Sequence, residues 1–368
     1  MTTADGGEYV LGVLTPKTFL VTQPRPNIHE LARLSGFSVG TVSRALNGYT
    51  DVRAETRETI LRVAQELDYT PSASARTLVT QRSHVVGVFL DTGEGHPDLQ
   101  HPFFHEVLGG IKNFIGSAGY DLLLFASERP GNGFGTHSYL KRCRHHNVDG
   151  AVLMGLDADD PEVRRLVRAD VPTVGVDVDL EGPATSFVMS DNEGGAALAV
   201  GHLHELGHRR IATITGLLDK RPGADRLRGY RHELQARGLT VRDEYVAYGD
   251  FYIESGYRRA SELLALPEPP TALVTASDMS ALGAIRAATE RGLRVPEDLS
   301  VTGFDDIQLA AYLHPSLTTI RQAKVSLGTE AARSLLRHVD GEADVPTVVT
   351  RPVELIVRGS TAPPPAPV

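Results

Sequence analysis

With 368 residues, 41% hydrophobic and 23% charged, the chain is long enough for two or three domains and a sizeable core. Its single cysteine, Cys143, excludes an intrachain disulfide framework, and no apolar run reaches the roughly 18 residues that a membrane span needs. The net charge of −9 is unevenly placed: residues 27–83 hold seven Arg against six Asp/Glu, residues 1–26 balance to zero, and residues 84–368 carry the remaining −10, so the acidity does not exclude a DNA-binding segment at the front.

Residues 1–26 show no sustained period and read as a loose extension; YVLGVL at 9–14 is too short, and lacks the basic flank, for a signal peptide. Asn27 opens the first helical pattern as an N-cap, with Glu30 at capping-box spacing and Ile28, Leu31 and Ala32 on the inner face. Gly36 ends this helix. Ser38 caps a second, in which Val39, Val42, Ala45 and Leu46 make the core stripe and Gly40, Thr41, Ser43, Arg44 and Asn47 lie on other faces. A third helix, about 54–67, sets Thr56, Ile60, Val63, Ala64 and Leu67 on one side. Two helices joined across a glycine turn form a helix-turn-helix layout. Small outward residues let the second helix enter a major groove, where Arg44 reaches guanine or phosphate. On pattern alone, a three-helix bundle with a merely solvated polar face fits equally well.

From Val85 onward, apolar runs alternate with helical stretches: VVGVFL (85–90), DLLLFA (121–126), GAVLMG (150–155), TVGVDV (173–178), RIATIT (210–215), TALVTA (271–276) and LSVTGF (299–304). Near-continuous apolar strands between helices suit a parallel sheet covered on both faces, and the length allows two α/β lobes. Residues 202–210, HLHELGHRR, contain the zinc-peptidase spacing His-Glu-x-x-His at His204, Glu205 and His208. Gly207 followed by basic residues is a helix-ending signature, so His208 is expected to leave the face that carries His204. There is no P-loop, and the glycine-rich run 131–135 lacks the dinucleotide fingerprint, so no catalytic residue, metal or cofactor is expected. The proline-rich end, 361–368, is expected to be a disordered tail.

The words ELARLSGFS, VGTVSRALN and VRAETRE, then Tyr69-x-Pro71 before SASARTL, occur in one order, and by them residues 27–88 resemble the lactose-repressor (LacI/GalR) family of bacterial transcription regulators. The similarity continues in register to residue 360. The fold it implies is a small all-α helix-turn-helix head plus an α/β two-lobed periplasmic-binding-protein-like effector domain. The implied boundaries are 27–71 for the head, 72–83 for a hinge and 84–360 for the effector domain, with an N-lobe of about 84–189 and 320–342 and a C-lobe of about 190–319 and 343–360. The chain would cross between lobes near 189–190, 319–322 and 341–346.

The resemblance implies DNA contacts at Asn27, Ile28, Ser38, Val39, Gly40, Thr41, Ser43, Arg44, Asn47 and Tyr69, and in the hinge at Ser72, Ala75, Arg76 and Leu78. The hinge would become helical on DNA, with Leu78 as a minor-groove wedge and Ala75 allowing close approach. Effector contacts are implied at Phe103, Phe104, Asp177, Arg226, Phe251, Ser277, Asp305 and Gln322. Arg226 offers planar donors to paired hydroxyls, and Phe251 a ring to stack on the ligand. Other readings remain open for some: Asp305 and Asp278 as helix caps, Arg226 as a surface ion pair, Phe103 and Phe104 as core. Two departures stand out: Arg53 where the family often caps the third helix with Ser, and a connection, DTGEGHPDLQ (91–100), several residues longer than usual. The family's own x-E-L-G-H-R-x-I pattern accounts for HELGH without metal.

The expectation is a cytoplasmic, nucleoid-associated homodimer, usually a repressor. It binds a palindromic double-stranded operator with an affinity set by a sugar-like small molecule. The alternatives are a non-regulatory sugar-binding protein and a zinc hydrolase.

Overall fold

The computed structural model describes residues 26–70, 82–90, 98–126, 138–342 and 347–366 and divides the chain into a unit ending at Gln81 and one beginning at Arg82. Most of the N-terminal extension, the loop at 91–97 and the hinge residues Ser72, Ala75, Arg76 and Leu78 lie outside the described residues.

The first unit contains α1 (Ile28–Ser35), α2 (Val39–Leu46) and α3 (Ala54–Glu66). Asn27 caps α1, its side chain accepting from the backbone N–H groups of His29 and Glu30 at 3.0 Å, and Gly36 turns the chain at φ +77°. Ser38 caps α2 through the N–H of Thr41 at 3.2 Å, whereas Arg53 gives α3 no side-chain cap. Leu31, Val42 and Ile60 are fully buried at the centre. Val39, expected on the core stripe, is exposed instead, because the first turn of α2 extends past the small core.

The second unit runs β1 (Val85–Leu90), α4 (Pro102–Ser117), β2 (Asp121–Phe125), α5 (Tyr139–His145), β3 (Gly150–Met154), α6 (Pro161–Val167), β4 (Thr173–Val176) and β5 (Thr185–Ser190). It continues through α7 (Asn192–Glu205), β6 (Ile211–Ile214), α8 (Arg221–Ala236), β7 (Val246–Ala247), α9 (Ile253–Leu264), β8 (Ala272–Thr275), α10 (Asp278–Glu290) and β9 (Ser300–Asp305). β10 (Thr318–Arg321), α11 (Lys324–Val339), β11 (Thr347–Arg351) and β12 (Glu354–Ile356) close it. Two six-stranded sheets result, ordered β11-β5-β4-β3-β1-β2 and β12-β10-β9-β8-β6-β7. Every pairing is parallel except that of β12 with β10.

Helices α4 and α11 cover one face of the first sheet, where Val107, Ile111, Leu327 and Leu335 meet Val86, Val88, Val152 and Val174. Burying each such side chain contributes about 1.5–3 kcal/mol. The two helices touch backbone to backbone: a Cβ on Gly110 would overlap the Val325 carbonyl, and one on Gly328 the Val107 carbonyl.

The lobe boundaries differ from those expected. Thr347–Arg351 pairs with β5, Val348 opposite Phe187, so this stretch belongs to the N-lobe rather than the C-lobe. The last crossing therefore falls at Pro352-Val353, where proline lacks the N–H to continue a ladder. Ile320 and Arg321 pair with Phe304 and Asp305 of the C-lobe sheet, which moves the second crossing to Gln322-Ala323. The tail also differs. Ala362 is tied by its N–H to Ser300 Oγ at 3.0 Å and by its carbonyl to the His208 ring at 2.9 Å, and Thr361 Oγ1 bonds His202 at 2.9 Å. Prolines prevent this segment from forming helix or sheet, but side chains of the C-lobe supply its partners instead.

Candidate effector cleft and DNA-reading face

A cleft opens between the two sheets, lined by His101, Phe103, Phe104, Asp177, Arg226, Phe251 and Asp305 among others. Asp177 and Asp305 stand at the carboxyl-terminal ends of β4 and β9, the usual position for a ligand on parallel sheets, while the N-terminus of α4, α8 and the loop after β7 supply the others. Three of the lining residues hold left-handed backbone conformations: Asp177 at φ +57°, Phe251 at +77° and Asp305 at +123°. Non-glycine residues adopt such angles at a cost, and they concentrate where side-chain direction serves function. Gly216 makes room for Phe251, since a Cβ there would overlap its ring.

Arg226 is buried. Its Nε donates to Asn192 Oδ1 at 2.8 Å, its Nη1 donates to the Ala276 carbonyl, and its guanidinium lies 3.6 Å from the Phe304 ring centroid. Burial lowers its pKa, while Asp305 and Asp177 oppose that shift. Burial pushes the Asp177 carboxyl up to about 6, against the pull of Arg226. It also holds the His101 imidazole below its ordinary value, against the pull of Asp305. Asp305 Oδ1 accepts from Gln322 Nε2 at 2.6 Å, and the Asp305 carbonyl accepts from Lys324 Nζ at 2.5 Å.

In the cleft lining, Asp177 Oδ1, Asp305 Oδ2 and His101 Nε2 are buried and have no hydrogen-bond partner among the described residues. Leaving one such group unsatisfied costs about 1–3 kcal/mol. Grouping them around one cavity marks it as a place where a polar ligand belongs.

Of the expected effector residues, Phe103, Phe104, Asp177, Arg226, Phe251 and Asp305 line this cleft. Phe103 also packs into the N-lobe core, and Phe104 is the more exposed of the pair. Arg226 is not a surface ion-pair residue. Ser277 does not line the cleft: its Oγ caps α10 through the Ser280 N–H at 3.0 Å and donates to the Phe251 carbonyl at 2.6 Å. Gln322 stands behind Asp305 rather than on the wall. Asp278 is not a cap either, since its carboxylate accepts from the Ile307 N–H at 2.8 Å and from Thr319 Oγ1. His101, Lys220 and Tyr252 line the cleft without having been singled out in the sequence. The His101-Pro102 pair carried a signal, a polar N-cap before proline at the first helical position.

On the head, Val39, Gly40, Arg44 and Asn47 are exposed on α2, with Thr41 and Ser43 half-buried. Arg44 pairs with Asp51 at 2.9 Å, and Asn47 Nδ2 donates to the Ser43 carbonyl at 2.8 Å. Ile28 and Tyr69 pack against the head core. A Cβ on Gly40 would meet only Ser38 Oγ at 3.9 Å, so the head itself has no steric need for glycine there.

His208 is buried. Its Nδ1 bonds Thr271 Oγ1 at 2.8 Å and its Nε2 bonds Ser300 Oγ at 3.0 Å, so its ring is turned away from His204. The helix ends at Glu205 and Gly207 takes φ +105°. Among the described residues no cluster of three or more His, Cys, Asp or Glu side chains could hold a metal ion, and no helix is long and apolar enough to cross a membrane.

A helix-turn-helix head joined to a two-sheet clamp with a polar and aromatic cleft defines a DNA-binding regulator that responds to a small molecule. The family model for bacterial regulatory proteins of the lacI family matches residues 27–72, and that for a periplasmic binding protein-like domain matches 200–361. The HTH-type transcriptional regulator CelR of Thermobifida fusca is 36% identical over 339 residues, 91% of this chain and 98% of its own length. A structure of a transcriptional regulator CelR–cellobiose complex aligns at a TM-score of 0.70 and 34% identity, over 91% of this chain and 100% of that one. The Lac repressor dimer bound to operator and the anti-inducer ONPF aligns at 0.79 and 29% identity, over 92% of this chain and 100% of its own. The protein belongs to the LacI family of bacterial regulatory proteins and is a ligand-responsive, DNA-binding transcription regulator.

Proposed function

We propose that the protein is a cytoplasmic, nucleoid-associated repressor that binds a palindromic operator as a homodimer and whose grip is set by a neutral, sugar-class effector. One observation carries the effector class. The orphaned atoms of the cleft are a mixture of acceptors, Asp177 Oδ1 and Asp305 Oδ2, and a donor, His101 Nε2, beside the Phe104 and Phe251 rings. Hydroxyls donate and accept at one atom, and a pyranose adds an apolar face for the rings. Cellobiose in the CelR complex belongs to the same chemical class.

On the DNA side, Gly40 supports the reading. Glycine inside an exposed helix costs up to about 1 kcal/mol relative to alanine. The head gains no packing from it, whereas a groove wall approaching α2 closely would require it. The hinge residues Ser72, Ala75, Arg76 and Leu78 are assigned to DNA contact on family resemblance, with Leu78 as the minor-groove wedge and Ala75 allowing close approach.

Thermal-shift screening against neutral mono- and disaccharides tests the effector class, because a ligand that binds only the folded state raises its apparent stability. Arg226→Ala should abolish the shift given by any active sugar. A shift of wild-type size in that variant removes Arg226 from the site. Footprinting on palindromes near the gene, with and without the active sugar, tests the regulatory half.

A further inference from the structure

His101 stands at the N-cap of α4, where its Nδ1 accepts from the Phe103 N–H at 3.4 Å. In a neutral imidazole that leaves the hydrogen on Nε2. Nε2 is buried and makes no hydrogen bond to a described residue. The Phe251 carbonyl is close enough to favour the charged ring, yet does not bond it. Across the cleft Asp305 Oδ2 lies 3.9 Å away, also buried and unpartnered, while its sister oxygen is taken by Gln322. A donor thus faces an acceptor at a distance too long for a bond. The two belong to different lobes, His101 to the helix over the first sheet and Asp305 to the end of β9 in the second. The His101 ring is held edge-on by Phe104 at 6.0 Å and Tyr252 at 5.5 Å, so Nε2 keeps its direction.

We propose that a single hydroxyl of the effector completes this pair, accepting from His101 Nε2 and donating to Asp305 Oδ2, which makes His101 a specificity-determining residue that reads one hydroxyl and ties the lobes together around it. This rests on the reading of the cleft as a sugar-class site. The demand is narrow. A carbonyl or ether oxygen accepts from His101 but leaves Asp305 unpaired, and an ammonium does the reverse. Because both partners are fixed by their own second contacts, little ordering remains to be done when the hydroxyl arrives.

The test uses the full-length protein, two variants and two readouts. His101→Phe keeps the ring contacts and removes the donor; His101→Gln keeps a side-chain N–H near the same place. For any sugar of the panel that shifts the wild type, His101→Phe should weaken binding about 10- to 100-fold, with partial recovery in His101→Gln. One deoxy derivative of that sugar should bind wild type correspondingly worse and lose nothing further on His101→Phe, the signature of two groups sharing one bond. Additive losses for every deoxy derivative, or wild-type affinity in His101→Phe, overturn the proposal. The melting temperature of the free protein gives an independent answer. His101→Phe loses the long 3.4 Å cap contact to the Phe103 N–H but also removes the buried, unpartnered Nε2, so it should melt within a few degrees of the wild type. A fall of several degrees makes His101 a structural cap and overturns the proposal. If no sugar shifts the wild type, the sugar-class reading fails by itself, and the melting temperatures still decide the role of His101.

Discussion

Asp177 shows how much the cleft is built against the stability of the free protein. Its carboxyl is buried, held at φ +57°, and raised by burial from 3.8 to about 6. Between those values the folded chain binds the proton that the unfolded chain has released, so unliganded stability falls as pH rises from about 4 to 6 and the penalty is complete above that. Its size follows from the shift, about 3 kcal/mol at neutral pH. Asp177→Asn is therefore expected to raise the melting temperature at pH 7 and to flatten the stability profile between pH 4 and 6. An unchanged profile in urea titrations across that range would remove Asp177 as its source. Effector binding carries the opposite sign. A hydroxyl that donates to Oδ1 favours the carboxylate, so binding releases a proton near pH 6 and affinity rises with pH up to that point. Calorimetry of an active sugar in buffers of different ionisation enthalpy reads that proton directly. The residues that carry this chemistry left little trace in the local sequence. Asp177, Phe251 and Asp305 were placed by family resemblance, because a positive φ on a non-glycine residue has no spacing or composition to announce it.

At the scale of elements, legibility followed burial. Strands β1, β3 and β4 are apolar along their length because both faces are covered, and their runs are plain in the sequence. β5, TSFVMS, is just as buried but interrupted by hydroxyls that have dedicated partners: Ser186 Oγ bonds the His338 ring at 2.8 Å and Thr185 Oγ1 the Gly182 carbonyl at 2.9 Å. β10, TTIR, hides in the same way, and β11, TVVTR, is an edge strand open to solvent. With β11 silent in the sequence, the third crossing reads there as 341–346 instead of Pro352-Val353. Composition implies a disordered C-terminal segment because it describes what a segment can form by itself, not what neighbouring side chains can hold. His208, Ser300 and His202 all lose a partner if the chain stops after Ser360. Such a truncation is expected to lower stability by about 1–3 kcal/mol for the buried groups left unpaired. Equal unfolding midpoints for the truncated and complete chains would show the contacts to be incidental.

At the scale of the whole molecule, a regulator of this kind needs a physical route from the effector cleft to the segment that leads to the DNA-binding unit, and α11 offers one. Its first residue, Lys324, is buried where the lobes meet, with Nζ donating to the carbonyls of Asp305 and Asp306 at 2.5 and 3.0 Å and pairing with Glu106 at 3.3 Å. Its 16 residues span about 24 Å. At the far end Arg82, the first residue of the effector unit, donates to the Val339 carbonyl at 2.9 Å and pairs with Asp340 at 2.5 Å. Beside it, Asp149 accepts from the N–H groups of Ser83 and His84 at 2.7 and 2.9 Å. The backbone contact at Gly110 and Gly328 locks α11 to α4, whose N-terminus carries His101 and Phe103, so the pair moves as one body. A change at Asp305 can therefore reach residue 82 without deforming a helix. Coupling of this kind is a free energy, typically about 1–3 kcal/mol, and it is reciprocal between the two ligands. Arg82→Ala should leave the sugar-induced thermal shift intact and keep operator binding, yet reduce the factor by which sugar changes operator affinity. The measurement is a pair of DNA titrations, with and without saturating sugar, for wild type and variant. Full coupling in Arg82→Ala would mean that the signal leaves the clamp elsewhere; its loss together with the thermal shift would mean that the variant had damaged the cleft rather than the joint.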